Sequence, residues 1–399
     1  TIKMSLTSDR FFQPNCSEWK GYKPCDIQKE FDRQDCFGCD RYIPIGAELD
    51  DVEEGSVKER LLGAYSVGLI EMGGLGSILR TTAVTKELRR INPRARTTWY
   101  THERGVELLK NVPSVDHIVN ISDGNCVSYE HDIMLNFELN DKIIDLVRCQ
   151  RRIGGFTVTP SGKFYGVTSE AQYMQRLQVD DNFRKQNRLS MQAILLKTVG
   201  FDFGEDSGYD FVLTDENAKN AEKVLSELFD SRVPEKIIGI NIGTSEKGHL
   251  RRWPVEKCMQ LATLINQANR EIGVLILNGP DDSKVLAKAK EIPHDTSTKF
   301  TPSNMSVGDF IGIVSNLTMV VTPDTFVFHA AKSCHIPTVV VANPMPASEL
   351  EVEAGDIVIG GNVECGPCYH KCNKQIYGEC MQNISPEQVF SSIKEMLVI

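Results

Sequence analysis

The chain has no apolar run approaching the roughly 20 residues that a membrane-spanning helix needs. No basic-then-apolar leader opens it, so the expected location is the cytoplasm. Positive charge is also in short supply. Lys and Arg total 44 against 54 Asp and Glu, a net charge of −10 over 399 residues. A general binder of nucleic acid or of anionic membranes needs the opposite surplus, so those classes are excluded and no nucleic-acid partner is expected. Short-period repeats and low-complexity tracts are absent too, which removes solenoid architectures. What is left is ordinary. Hydrophobic residues make up 41% and charged residues 25%, the balance of a globular protein of two or three domains. A chain of this length buries a large core, so neither metals nor disulfides are needed to offset small size.

Cysteine, by contrast, is plentiful, with 12 residues in three groups. Cys16, Cys25, Cys36 and Cys39 crowd the N-terminal region. Cys365, Cys368, Cys372 and Cys380 crowd a tail at 365–380. Cys126, Cys149, Cys258 and Cys334 are scattered through periodic segments and read as small buried hydrophobes. Each crowded group holds four thiols and a C-x-x-C on a Gly/Pro/Asn-rich stretch. Such loops suit tetrahedral zinc or iron, because C-x-x-C turns two sulfurs toward one ion. A reducing compartment favours metal over disulfides. Paired disulfides, or thiols with no ligand role, remain the alternatives, and redox sensing is a third. Four sulfur ligands leave no open position, so either metal is expected to be structural.

Residues 1–63 are irregular and Cys-rich and end in an acidic stretch. From Ser66 the texture changes. Apolar runs of four to seven residues alternate with helical patterns, the signature of a parallel α/β sheet. Strands are expected at 66–70, 97–101, 117–121 and 132–137, with helices at 77–90, 103–109 and 141–151. Residues 169–199 read as one long helical stretch. The pattern then restarts with a strand-like 210–213, a helix at 215–229, and strands at 237–242, 273–277, 319–321 and 338–341. The expected domains are therefore 1–63, a Cys-rich extension; 64–205, a Rossmann-like domain; and 206–399, a second Rossmann-like domain with the Cys-rich tail. Two doubly wound domains in tandem imply a ligand cleft that both face.

Four stretches carry chemistry. The first is Glu71-Met72-Gly73-Gly74-Leu75-Gly76-Ser77, leading to Arg80. Glycines after a strand allow a tight turn, and the helix start favours an anion. The second is Gly243-Thr244-Ser245 followed by Arg251-Arg252-Trp253-Pro254, where hydroxyls and arginine forks suit phosphate oxygens. The third is Thr322-Pro323-Asp324-Thr325-Phe326-Val327-Phe328-His329, a strand end and helix start able to hold a diphosphate without metal. The fourth is Asn278-Gly279-Pro280-Asp281-Asp282, an acid placed to accept from ribose hydroxyls. Each has a plainer explanation: a ligand-free βα turn, a solvated basic turn, Asp324 or Asp282 as a helix cap, and His329 as a packed histidine.

Taken as a set, G-G-L-G-S-I-L-R-T-T, R-R-W-P, N-G-P-D-D, P-D-T-F-V-F-H-A-A and I-P-T-V-V-V resemble glycosyltransferase family 9, the ADP-heptose:lipopolysaccharide heptosyltransferases and their relatives, over about residues 66–399. The N-terminal Cys-rich stretch resembles an extension found on a subset. The resemblance implies a GT-B fold and inverting, metal-independent transfer of a sugar, most simply heptose from ADP-heptose. It puts Thr244, Ser245, Arg251, Asp282, Asp324, Thr325, Phe326 and His329 on the donor side, and Gly74, Gly76 and Arg80 on the acceptor side. Within 80–104, seven Lys/Arg stand against two Glu, enough to help seat an anionic acceptor or to form a solvated helix face.

One departure matters. Relatives carry Asp, the family's general base, where this chain has Ser77. A serine hydroxyl is too weak a base to take the acceptor's proton. Glu71 is the first substitute, in a position where the family usually has Lys. The implied partners are a nucleotide-sugar donor and a lipopolysaccharide, glycan or protein acceptor. There is no transmembrane segment, and peripheral membrane contact is allowed. The rival readings are transfer to a protein or small molecule by the same fold, and sugar-nucleotide binding without transfer.

Overall fold

The computed structural model describes residues 16–21, 25, 39, 57–122, 129–204, 206–342, 345–361, 363–368, 372 and 378–397. The chain divides into two compact units, Thr1–Gly73 with Arg80–Asp210, and Gly74–Leu79 with Phe211–Ile399. Each is built on one six-stranded sheet.

The first sheet contains β1 (Ser66–Ile70), β2 (Arg96–Thr101), β3 (His117–Asn120), β4 (Ile133–Asn136), β5 (Ile153–Val158) and β6 (Phe164–Gly166). Its order is β3-β2-β1-β4-β5-β6. All pairs are parallel except β5 with β6. The apolar run of β1 does not alternate, and four of its five residues are buried. A parallel strand covered by helices on both faces has that texture. The Leu75–Ile91 helix follows β1 directly.

Here the structure departs from the expected elements in four places. Residues 57–63, expected to be irregular, form the Val57–Gly63 helix. The stretch 169–199 is broken into Ser169–Val179, Asp181–Arg184 and Met191–Thr198. Asp180 makes the first break, because its carboxylate accepts the Phe183 N–H at 2.9 Å and caps the next helix. Residues 210–213 form no strand. Asp210 instead donates its N–H to Thr82 Oγ1 and accepts the Ser114 N–H, both at 2.9 Å. Strands β5 and β6 were not expected, since Gly154 and Gly155 interrupt the apolar run. Gly155 has φ +79°, and a Cβ there would lie 2.2 Å from the Asn136 carbonyl oxygen, so the close approach of β5 to β4 requires glycine.

The second sheet contains β7 (Lys236–Asn241), β8 (Ile272–Leu277), β9 (Thr298–Phe300), β10 (Met319–Thr322), β11 (Thr338–Val341) and β12 (Ile357–Ile359). Its order is β12-β11-β10-β7-β8-β9, and every pair is parallel. Its core joins Ile238, Ile240, Val274, Ile276 and Val321 to the Val255–Ala268 helix and to the C-terminal Pro386–Leu397 helix through Val389 and Ile393. The buried Trp253 clamps that tail by donating its indole N–H to the Ile384 carbonyl at 3.1 Å. Both sheets have the Rossmann strand order, so each reverses direction of growth once, between β1 and β4 and between β7 and β10. Among the described residues no helix is long and apolar enough to cross a membrane.

Candidate active site

At the reversal point of a doubly wound sheet the loops after the two central strands part, and the carboxyl edge is open to a ligand. In the first unit those loops begin with Glu71 after β1 and with Phe137-Glu138 after β4. Consecutive amides of one turn hold both carboxyls. Met72 N–H donates to Glu138 Oε1 at 2.6 Å, and Gly73 N–H donates to Glu71 Oε1 at 2.7 Å. The two carboxyls are near enough for the charge of Glu138 to act on Glu71. Burial, and then the charge and hydrogen bond of Glu138, push the Glu71 carboxyl well above the ordinary range, against the Gly73 amide and the Arg80 charge. Arg80 sits on the Leu75–Ile91 helix, and its Nε is buried without a hydrogen-bond partner among the described residues. His102 braces the turn. The Gly105 N–H donates to its Nδ1 at 3.2 Å, so Nε2 carries the proton and donates to the Gly73 carbonyl at 2.9 Å.

This pair has a measurable consequence for stability. A carboxyl raised in the folded state disfavours folding once it would ionise in the unfolded chain. Its contribution is intact below the ordinary glutamate value near 4.5 and is lost as pH climbs through the higher folded value. Glu71→Gln keeps an acceptor for Gly73 and a donor toward Glu138, yet carries no charge. The variant should match the wild type near pH 4 and become progressively more stable than it above that. Urea denaturation across pH 4–9 checks this, and equal stability throughout would refute it.

In the second unit the functional residues lie on the loops after β7, β8 and β10. After β7, Thr244 is buried and Ser245 exposed. A Cβ at Gly243 would lie 2.1 Å from Asp282 Oδ2, so only glycine lets the β7 loop pass that carboxylate. After β8, Asp282 is buried and accepts the Gly279 N–H at 2.8 Å. Burial raises its carboxyl, while the Gly279 amide and the Arg252 charge oppose the rise. Arg251 ends the Glu246–Arg251 turn of 3-10 helix and pairs with Asp324 at 3.2 Å. Asp324 therefore does not cap the next helix, which begins at Phe326 with Thr325 as N-cap and no side-chain capping bond. Arg252 donates to the Thr244 carbonyl at 3.2 Å and lies 3.9 Å from Asp282 Oδ1. Phe326 stacks on Phe310 with ring centroids 6.1 Å apart. His329 is buried, with Nδ1 3.7 Å from Glu351 Oε2. Among the described residues, four buried polar atoms of these loops have no hydrogen-bond partner: Thr244 Oγ1, Arg251 Nε, Arg252 Nε and Asp282 Oδ1. Buried polar groups are normally satisfied, so such a concentration marks a place built for a polar ligand.

Of the remaining acceptor-side residues, Gly76 and Ser77 lie in the first turn of the Leu75–Ile91 helix, and Gly74 immediately before it is exposed with open space around its Cα. Two residues that the sequence reading passed over carry much of the geometry. Glu138 follows a buried strand, the same signal that singled out Asp282. Asn241 ends the apolar run of β7 and is buried. Its Nδ2 donates to Gly243 O at 3.2 Å, Thr322 Oγ1 at 3.0 Å and Thr325 Oγ1 at 2.9 Å. One amide thus ties the β7 loop to the β10 loop. It also occupies the Thr325 hydroxyl, which explains the uncapped helix start. Asn278, by contrast, spends its amide on the Thr301 carbonyl at 2.7 Å.

The sequence model of glycosyltransferase family 9 (heptosyltransferase) matches residues 160–376, more than half of the chain. The chain belongs to glycosyltransferase family 9. Its fold agrees. The family 9 glycosyltransferase of Veillonella parvula matches with a TM-score of 0.61 at 16% identity, over 84% of this chain and 97% of that one. The ADP-heptose lipopolysaccharide heptosyltransferase II of Escherichia coli matches with a TM-score of 0.61 at 13% identity, over 84% and 98%. The iron-containing dodecameric glycosyltransferase TibC of enterotoxigenic E. coli matches with a TM-score of 0.54 at 10% identity, over 84% and 76%. No curated protein sequence matches the chain. The protein is therefore a glycosyltransferase with two parallel-sheet Rossmann-like domains of the GT-B type.

Among the described residues no three His, Cys, Asp or Glu side chains are placed to hold a metal ion. Cys365, Cys368 and Cys372 are half-buried, whereas Cys380 is drawn into the core of the second unit beside Met381 and Ile384. In the N-terminal group Cys16 is buried, Cys25 and Cys39 are half-buried, and Cys36 lies outside the described residues. Of the scattered cysteines, Cys258 is fully buried and its thiol is pushed up by that burial. Cys149 is exposed, contrary to expectation, and Cys126 lies outside the described residues.

Proposed function

We propose that the enzyme works in the cytoplasm and moves heptose from ADP-heptose to a hydroxyl of a lipopolysaccharide or other glycan acceptor, with inversion at the anomeric carbon. Residues 206–399 bind the donor and residues 64–205 the acceptor. The observation that carries the reading is the set of four unpartnered buried atoms at the second sheet's reversal point. Their chemistry suits a nucleoside diphosphate sugar. Arg251 and Arg252 offer fixed cationic donors to phosphate oxygens. The uncapped helix start at Phe326 offers amides. Asp282 Oδ1 offers an acceptor to ribose hydroxyls, and Thr244 with Ser245 completes the polar lining.

Transfer is a single displacement. The acceptor oxygen bonds to the anomeric carbon, the bond to the diphosphate breaks, and the electron pair leaves with the diphosphate. Preorganised donors stabilise that developing charge without a divalent ion. The proton of the acceptor hydroxyl passes to the carboxyl pair of the first unit, where Ser77 offers no base. Gly74 leaves the neighbouring backbone open, and Arg80 adds a positive charge suited to an anionic acceptor.

A calorimetric and thermal-shift screen of ADP-heptose against ADP-, GDP- and UDP-hexoses tests the donor. ADP-heptose at 100 times its Kd should stabilise the fold by about 2.7 kcal/mol, and the other nucleotides by much less. Preferential binding of a UDP- or GDP-sugar would overturn the donor assignment. Retention of anomeric configuration in the product would overturn inversion.

A further inference from the structure

We propose that Glu138 is the catalytic base that takes the acceptor hydroxyl's proton, and that Glu71 is a positioning residue that holds a proton and donates it in a hydrogen bond to Glu138. The inference rests on the glycosyl-transfer reading and assigns the roles within its base. Three observations carry it. The two carboxyls follow β1 and β4, the strands that flank the reversal of the first sheet, where α/β proteins bind ligands. They are fixed side by side by the Met72 and Gly73 amides of a single turn. Close by, Arg80 presents a buried Nε that no described residue satisfies, which points to a polar ligand at this turn.

The division of roles follows from depth. Glu71 is 7% exposed, while Glu138 is half-buried. Desolvation penalises charge most at the deeper group, so the proton resides on Glu71 and the charge on Glu138. The groups facing the pair are Arg80, whose charge reaches Glu71, and the neutral His102, which donates to the Gly73 carbonyl. The more exposed Glu138 keeps one carboxylate oxygen beyond the Met72 amide for an incoming hydroxyl. In the step, the acceptor O–H bond breaks and its electron pair forms the new bond to the anomeric carbon. The C–O bond to the diphosphate breaks and its pair leaves with the diphosphate. The proton ends on Glu138 and is returned to solvent after the product leaves. Glu71 keeps its own proton throughout.

The experiment measures sugar transfer by the wild type, Glu138→Gln and Glu71→Gln across pH 5–10, alongside ADP binding and infrared difference spectra at neutral pH. Glu138→Gln retains an oxygen for the Met72 amide, so it should fold and bind ADP like the wild type. It should lose transfer by about 10²- to 10⁴-fold, the usual contribution of a positioned base. Glu71→Gln removes the raised carboxyl, so the limb of the pH profile of kcat/KM that follows its ionisation should disappear. The infrared spectrum of the wild type minus Glu71→Gln should show a protonated-carboxyl band. Transfer by Glu138→Gln within tenfold of the wild type would overturn the assignment, as would a missing carboxyl band or a Glu71→Gln profile that superimposes on the wild type. A wild type that shows the band and binds ADP-heptose but transfers nothing would instead refute the transfer reading.

Discussion

Arg251→Ala should lower kcat/KM for sugar transfer by about 10²- to 10³-fold, the scale seen when a preorganised stabiliser of developing negative charge is removed. The guanidinium is held in advance of the ligand. It pairs with Asp324 at 3.2 Å, with side chains 24% and 13% exposed, and it lies over Gly248, where a Cβ would come within 2.6 Å of its terminal nitrogen. Truncation removes the fork and leaves the Asp324 carboxylate uncompensated beside the helix start at Phe326, where it would repel a diphosphate. Two effects of one sign therefore add. Arg251→Lys should recover only part of the loss, since an ammonium restores charge but not the planar pair of donors. Steady-state kinetics with saturating acceptor decides the matter, and a loss below about threefold for Arg251→Ala would sink this role.

Lys332→Met should destabilise the folded enzyme by about 3–5 kcal/mol, the cost of breaking a buried pair by removing one partner. Lys332 closes the Phe326–Ser333 helix, and its side chain is 1% exposed, as is that of Asp356. The ammonium donates to both Asp356 oxygens, at 2.7 and 2.8 Å, and to Glu353 at 3.4 Å. Asp356 also accepts the Thr338 N–H and hydroxyl at 2.8 Å and the Glu353 N–H at 2.7 Å, which pins the start of β11 to the loop before β12. Without the lysine, this carboxylate keeps its neutral donors but loses its countercharge in a dry site. Removing both charges avoids that penalty, so Lys332→Met/Asp356→Leu should be less destabilised than the sum of the single variants. Urea denaturation measures each, and a Lys332→Met loss under about 1 kcal/mol would refute the argument.

Much of the fold was legible along the chain. Long apolar runs such as Ile237–Ile242 and Gly273–Leu277 announced the central strands, because a strand covered on both faces cannot alternate. The edges were not legible. β9 and β12 are three residues long, and β5 is interrupted by glycine, so none presents a period to read. The Val307–Ser315 helix, nine residues long and mostly buried, was missed because so short an apolar run cannot be told from a buried strand by periodicity.

Sequence alone determined the family and the alternation of strand and helix, since both are written in local order: glycines after β1, Arg251-Arg252 before a helix, Asp324-Thr325 after β10. Only the tertiary structure could pair Glu71 with Glu138, 67 positions apart in the sequence, or bring Asn241 to Thr322 and Thr325. Those meetings depend on β4 lying beside β1 and β10 beside β7. Strand neighbours of that kind are set by how hydrophobic faces pack, not by proximity along the chain. The same packing buries Cys380 in the core of the second unit beside Met381 and Ile384.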